Sequence, residues 1–168
     1  MTFRNLIVSA FFLLSSACVQ EDRKLVSNQS GGYAIEVLSD WDYSIKNSST
    51  TAIKAKSLIV QATLSVSILE SEYGTLEESF NEYVAQLPSG FVDLVKVGGG
   101  ETQINGIAAM WYRMKDTEDG VHFENLVYVM QPVGRKMVVI SCSSPENSFR
   151  EYEEDFTSMA FSCNILKK

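Results

Sequence analysis

The chain has 168 residues, 45% of them hydrophobic, and a formal net charge of −7. That length suits one domain with its own core, and no solenoid period or sizeable low-complexity tract interrupts it. An acidic balance without a basic stripe argues against nucleic acid as a partner and against electrostatic docking on anionic lipid.

At the N-terminus Arg4 precedes a short apolar run, Leu6 to Leu14, and Ser15, Ser16 and Ala17 are small. This is the layout of a secretory signal over residues 1–17. The run falls well short of the roughly 20 residues that a spanning helix needs. Cys18 follows directly, and LSSAC resembles the lipobox of bacterial lipoproteins, with Ser15 where that family prefers Leu and Leu14 one position further back. The resemblance implies cleavage between Ala17 and Cys18, acylation of Cys18 (palmitate among the chains) and attachment to a membrane through lipid. Several acyl chains supply the multiple signals that stable anchoring requires. Val19, in place of Asp, implies by the same resemblance the periplasmic side of the outer membrane. A plain signal-peptidase cut after Ala17 is the alternative and leaves Cys18 free. The polar stretch Gln20 to Gly32 is expected to be a flexible tether, so that residues 18–32 link the lipid to a domain at 33–168; an ordered edge segment is the other reading.

Tyr33 to Leu38 alternates as a strand, and Asp40 to Asp42 is a turn carrying Trp41. Tyr43 to Asn47 and Thr51 to Lys56 are two short strands. Leu58 to Leu69 is expected to be the longest strand: Leu58, Val60, Ala62, Leu64, Val66 and Ile68 line one face, and Gln61, Thr63, Ser65 and Ser67 the other. That pattern fits one buried and one wet face. Thr75 and Glu78 form a capping box for a helix whose stripe is Leu76, Phe80, Val84 and Leu87, stopped by Pro88 and Gly90. Phe91 to Val97 reads as a strand, Gly98 to Gly100 as a flexible loop, and Glu101 to Ile104 as another strand. Asn105-Gly106 is a two-residue hairpin turn into the strand Ile107 to Met114. Asp116 to Gly120 is the next turn.

Phe123 to Met130 and Lys136 to Cys142 are apolar on both faces, as strands covered on both sides are. Gln131 to Arg135, with Pro132 and Gly134, is the hairpin loop between them. Ser144 suits an N-cap and Pro145 a first helical position. The helix that follows has the stripe Phe149, Tyr152, Phe156 and Met159, with Glu151, Glu153, Glu154 and Asp155 mainly outside it. Phe161 to Leu166 closes the chain as a short strand or coil.

YAIEVLSDW at Tyr33 to Trp41 resembles the opening strand and Trp turn of PsbP-like and DcrB-like lipoproteins. So does the later order: a helix, a strand, Ile104-Asn105-Gly106, the covered hairpin, then SSPENSFREYEEDFTSMAFS. The resemblance spans roughly residues 33 to 163. It implies an α+β fold, an antiparallel β-sheet flanked by helices on both faces (an α/β/α sandwich), and a non-enzymatic role, with no catalytic residues to carry over.

The residues themselves offer no catalytic constellation. His122, the sole histidine, shares a strand face with Glu124, which is short of the three or four converging ligands of a metal site. No G-x-S-x-G elbow accompanies it. The carboxylates 151 and 153–155 splay around a helix, unlike a glycosidase pair. Asp116, Glu118 and Asp119 lack EF-hand spacing. No cofactor is expected. Cys142 and Cys163 could pair in an oxidising compartment only if the chain after the last helix folds back, since about 13 helical residues span roughly 20 Å.

The function expected is a non-enzymatic, lipid-anchored envelope protein, a binding or assembly module for an unidentified envelope partner. Trp41 and the face Gln61, Thr63, Ser65 and Ser67 are the expected partner surface. The alternatives are an envelope hydrolase centred on His122, Glu124 or Asp119, and a carrier of a small apolar ligand, which needs a cavity between sheet and helix.

Overall fold

The computed structural model describes residues 22–56, 59–87 and 92–166. The predicted signal and lipid site, Ala17 and Cys18 included, lie outside these residues, as do Leu58, Pro88 and Gly90. The order is β1 (Arg23–Asn28), β2 (Tyr33–Leu38), β3 (Asp42–Lys46), β4 (Ser49–Lys56), β5 (Ile59–Glu70), α1 (Leu76–Gln86), β6 (Val92–Ile104), β7 (Ile107–Glu118), β8 (Val121–Val133), β9 (Lys136–Pro145), α2 (Phe149–Phe161) and β10 (Asn164–Ile165). Seven strands form an antiparallel sheet in the order β3-β4-β5-β9-β8-β7-β6, and β1-β2-β10 form a second, three-stranded sheet.

The covered hairpin lies at the centre of the large sheet, as its two apolar faces demand. Leu126, Tyr128, Met130, Val138, Ile140 and Cys142 enter one buried cluster with the α2 stripe Phe149, Tyr152, Phe156 and Met159. Val127, Val129, Met137 and Val139, of opposite parity, enter another with Phe80 and Leu87. Strand alternation thus splits one hairpin between two cores. The small sheet adds Tyr33, Ile35 and Val37 to the α2 cluster. The fold is therefore antiparallel and α+β but dominated by sheet, and the simple sandwich expected from the sequence omits the second sheet altogether.

Three local readings change. Residues 23–28 are a strand, not a tether: β1 pairs with β2 along its whole length, Arg23 opposite Leu38 and Asn28 opposite Tyr33. Val26 and Asn28 point inward, a period-two signal weak enough to be missed among polar neighbours. Gly98 to Gly100 are not a loop but the middle of β6, paired with Arg113, Tyr112 and Trp111. A Cβ on Gly98 or Gly100 would stand 3.2 Å from the Trp111 indole, so the missing side chains make room for that ring. The last helix starts at Phe149 with Ser148 at its N-cap, and Ser144 and Pro145 finish β9. Both continue the ladder with β8, Ser144 opposite Glu124 and Pro145 opposite Phe123, and that pairing outweighs the capping preference.

Other signals hold. Thr75 accepts from the Glu78 N–H at 3.3 Å, and its hydroxyl donates to the Glu78 carboxylate at 2.7 Å. Asn105 and Gly106 have φ of 49° and 79°, a two-residue turn with both central residues left-handed. Asp119-Gly120 repeats it with the same angles, which narrows the turn predicted over 116–120 and leaves Asp116 inside β7.

Candidate functional site

An open groove of about 890 Å³ lies at one end of the large sheet. Its floor comes from successive strands: Ile68 of β5, Val138 of β9, Pro132 of β8 and Ile107 of β7. One wall is the β1–β2 turn, Ser30 to Gly32, and the chain's last described residues, Asn164 to Leu166. Glu70, Asn105, Arg135 and Lys136 supply its polar edge. Ile68, Ile107 and Ile165 are partly buried and pack on the α2 cluster, to which buried Val138 belongs, so the floor is a thinly covered margin of the main core.

Hydrogen bonds fix this wall. The Asn105 amide donates to the Phe161 and Cys163 carbonyls at 3.0 and 2.8 Å, tying the β6–β7 hairpin to the end of α2. The Leu166 N–H donates to the Gly32 carbonyl at 2.9 Å. Behind the turn, the Tyr33 hydroxyl donates to Thr50 Oγ1 at 2.8 Å, and the Asn28 carboxamide oxygen accepts from the Gly31 N–H at 2.8 Å. This buried polar node joins the two sheets. A side chain at Gly31 would strike the Tyr33 ring and stand 2.9 Å from the Ser48 carbonyl oxygen, so close approach of backbone demands glycine there. At the other edge the Ser71 N–H donates to the Arg135 carbonyl at 2.8 Å. Arg135 and Lys136 themselves are exposed.

The site residues expected from the sequence do not assemble. Trp41 is 1% exposed, wedged edge-on against Tyr152 and Phe156, and its indole N–H donates to Asp155 at 3.3 Å. It is core, not partner surface. Gln61 leaves its predicted face: β4 and β5 slip in register there, Lys54 opposite Ala62 and Ala55 opposite Val60, and its side chain accepts from the Tyr152 hydroxyl. Thr63, Ser65 and Ser67 stay on that face, half-buried, with the Ser67 and Ser49 hydroxyls 3.3 Å apart.

His122 is exposed and its Nδ1 lies 3.1 Å from the Thr117 hydroxyl. Glu124, two residues on, is buried and engaged by Arg113 Nε at 2.6 Å, while Arg113 Nη1 reaches Glu153 at 2.7 Å. Burial opposes the Arg113 charge, but these carboxylates outweigh it and raise its pKa. Asp155 meets Lys54 at 3.6 Å, where Asp40 approaches to 2.6 Å. Two carboxylates read as a solvated helix face, Glu153 and Asp155, are therefore tied to the sheet. Among the described residues no three His, Cys, Asp or Glu side chains are placed to hold a metal. Asp116 is buried and accepts from the Asn125 amide at 3.0 Å; burial pushes its carboxyl above the ordinary range against the pull of that bond. Cys142 and Cys163 are free, buried thiols, so the disulfide considered from their sequence positions is not formed. Burial raises both, Cys163 to about 12.

The groove was not foreseen. Two of its turns are legible (Asn105-Gly106 and the Pro132 to Gly134 loop), Gly31-Gly32 reads as the end of the tether, and their meeting at one end follows from a strand order that the sequence does not display.

Comparisons with known proteins describe the fold alone. No family model and no curated sequence matches the chain. Among solved structures it is similar to the Ran-binding protein Mog1p of Saccharomyces cerevisiae, with 13% identity, a TM-score of 0.64, and coverage of 88% of this chain and 97% of that one. It is similar to cyanobacterial PsbP (CyanoP) of Synechocystis, with 18% identity, a TM-score of 0.62, and coverage of 89% and 95%. It is also similar to LpqN of Mycobacterium tuberculosis, a protein involved in cell envelope biogenesis, with 10% identity, a TM-score of 0.64, and coverage of 88% and 92%. The chain thus has a PsbP/Mog1-like fold.

Proposed function

We propose that this chain is a non-enzymatic binding protein of the cell envelope, related to DcrB-like lipoproteins, held to a membrane through lipid on Cys18 and receiving its ligand or partner in the groove. The observation that carries this reading is the groove itself: an open concavity of about 890 Å³ with an apolar floor and a polar edge, the usual chemistry of a binding site. The titratable groups that could have served catalysis are engaged elsewhere: Glu124 by Arg113, and His122 by Thr117 on an exposed edge. Among the described residues no helix is long and apolar enough to cross a membrane, which is compatible with lipid attachment. The likeness in fold to LpqN, a protein involved in cell envelope biogenesis, and to Mog1p, a Ran-binding protein, agrees with a binding role. We assign the periplasmic side of the outer membrane from Val19 after the lipobox-like cysteine.

Photo-crosslinking in cells tests the reading. A photoreactive side chain at Lys136, on the groove edge, is expected to yield a discrete adduct. The same group at Tyr43, exposed on the far edge strand β3, is expected to yield none. Cys18→Ala should weaken the adduct. No adduct from position 136 overturns the proposal, and loss of a measured hydrolytic activity in His122→Ala would favour an enzyme.

A further inference from the structure

The groove pairs two chemistries. Its apolar floor crosses four neighbouring strands, β5 to β7, which at about 4.8 Å per strand is a trough roughly 14 Å long. Val138 lies opposite Ile68 in the ladder, and Ile107 and Pro132 extend the surface beyond them. That shape takes a chain of methylenes better than a globular ligand. The mouth is cationic. Lys136 lies opposite Glu70 in register, two residues from the Val138–Ile68 pair, and Arg135 adjoins it. Neither cation forms an ion pair among the described residues, in a chain whose formal net charge is −7. Two cations against one carboxylate leave a local excess of one positive charge. That excess suits a monoanion, and Glu70 disfavours a dianion.

We propose that the groove binds a long-chain fatty acid as its carboxylate, the alkyl chain lying across half-buried Ile68, Pro132 and Ile107, with buried Val138 beneath it, and the head group held at the mouth by Arg135 and Lys136. This rests on the reading of the groove as the binding site. The exposed head-group cations give selectivity for charge, and the floor gives affinity that grows with chain length. Each methylene moved from water to an apolar surface is worth about fourfold in affinity.

Titration calorimetry of the purified full chain with octanoate, decanoate, dodecanoate and tetradecanoate, each below its micelle concentration, is the test. The expected result is affinity rising about fourfold per methylene until the trough is filled. Dodecanol should bind on the order of tenfold more weakly than dodecanoate. Arg135→Gln with Lys136→Gln, both at exposed positions that folding tolerates, should erase that preference while the chain-length dependence survives. Ile107→Asn should reduce the chain-length dependence instead. No binding by any acid, or equal binding of acid and alcohol in the native chain, overturns the proposal. If fatty acids fail while Lys136 still crosslinks in cells, the ligand class is wrong and the groove remains the site. If both fail, the binding reading falls with it.

Discussion

The two faces of the large sheet are covered by different means. On one, α2 and the three-stranded sheet press an aromatic group (Trp41, Phe149, Tyr152 and Phe156) onto the strands, and Arg113, Lys54 and their carboxylates fasten the helix at its flank. On the other, α1 buries only Ser79 and Phe80 within its span, Leu87 follows at its cap, and hydroxyl-bearing residues such as Thr63, Ser65 and Ser67 continue half-buried beside it. The first face is a core with two layers of cover. The second is a helix on a patch. The lesson is that a strand apolar on both sides does not imply equal burial energy on both sides.

Truncating one aromatic residue on each face is the strongest challenge to this contrast. Phe156→Ala, at a fully buried site touching three other aromatic rings, should destabilise by about 3–5 kcal/mol in urea unfolding. Phe80→Ala, less completely buried, should lie at or below about 3 kcal/mol. Equal losses would break the comparison. Next in size is the ionic fastening. Arg113→Met leaves the Glu124 carboxylate buried without its partner and should lose roughly 2–3 kcal/mol, less than for a fully buried pair because 23% of the Arg113 side chain meets solvent. Lys115→Met, which breaks an exposed pair with Glu146, should leave the unfolding midpoint unchanged.

A smaller effect separates the faces by pH. The Asp116 carboxyl is raised in the folded chain, so the native state holds its proton above the unfolded pKa. Its stabilising contribution is full below the unfolded value and is lost as pH rises through the folded one. Asp116→Asn should therefore be more stable than the native chain at pH 7 and lack that part of the acid-side slope, as a denaturation series across pH will read. Smallest of all, Cys142 and Cys163 should stay unmodified by thiol reagents in the native state and react only on unfolding, since burial keeps both thiols protonated.

Much of the frame was legible because it rests on local signals. The capping box at Thr75, the Asn105-Gly106 turn and the α2 stripe each depend on residues within a few positions of one another. What stayed hidden depends on distant partners. Gly98 to Gly100 look like a loop until Trp111 is placed on them, and Trp41 looks like an exposed turn residue until α2 covers it. Strand β1 is hidden for the same reason: four of its six side chains are exposed, so only its pairing with β2 makes it a strand.

That strand has a mechanical consequence. With β1 zipped to β2 along its whole length and the Asp22 carbonyl accepting from the Ser39 N–H at 2.9 Å, a pull on the chain from its N-terminal side meets a paired sheet from Asp22 onward. β1 runs from Arg23 toward the turn at Ser30 to Gly32, about 20 Å away, where the groove opens. Tension entering at Arg23 would thus load the β1–β2 ladder in shear, and the groove wall at its far end keeps its place as long as that ladder holds.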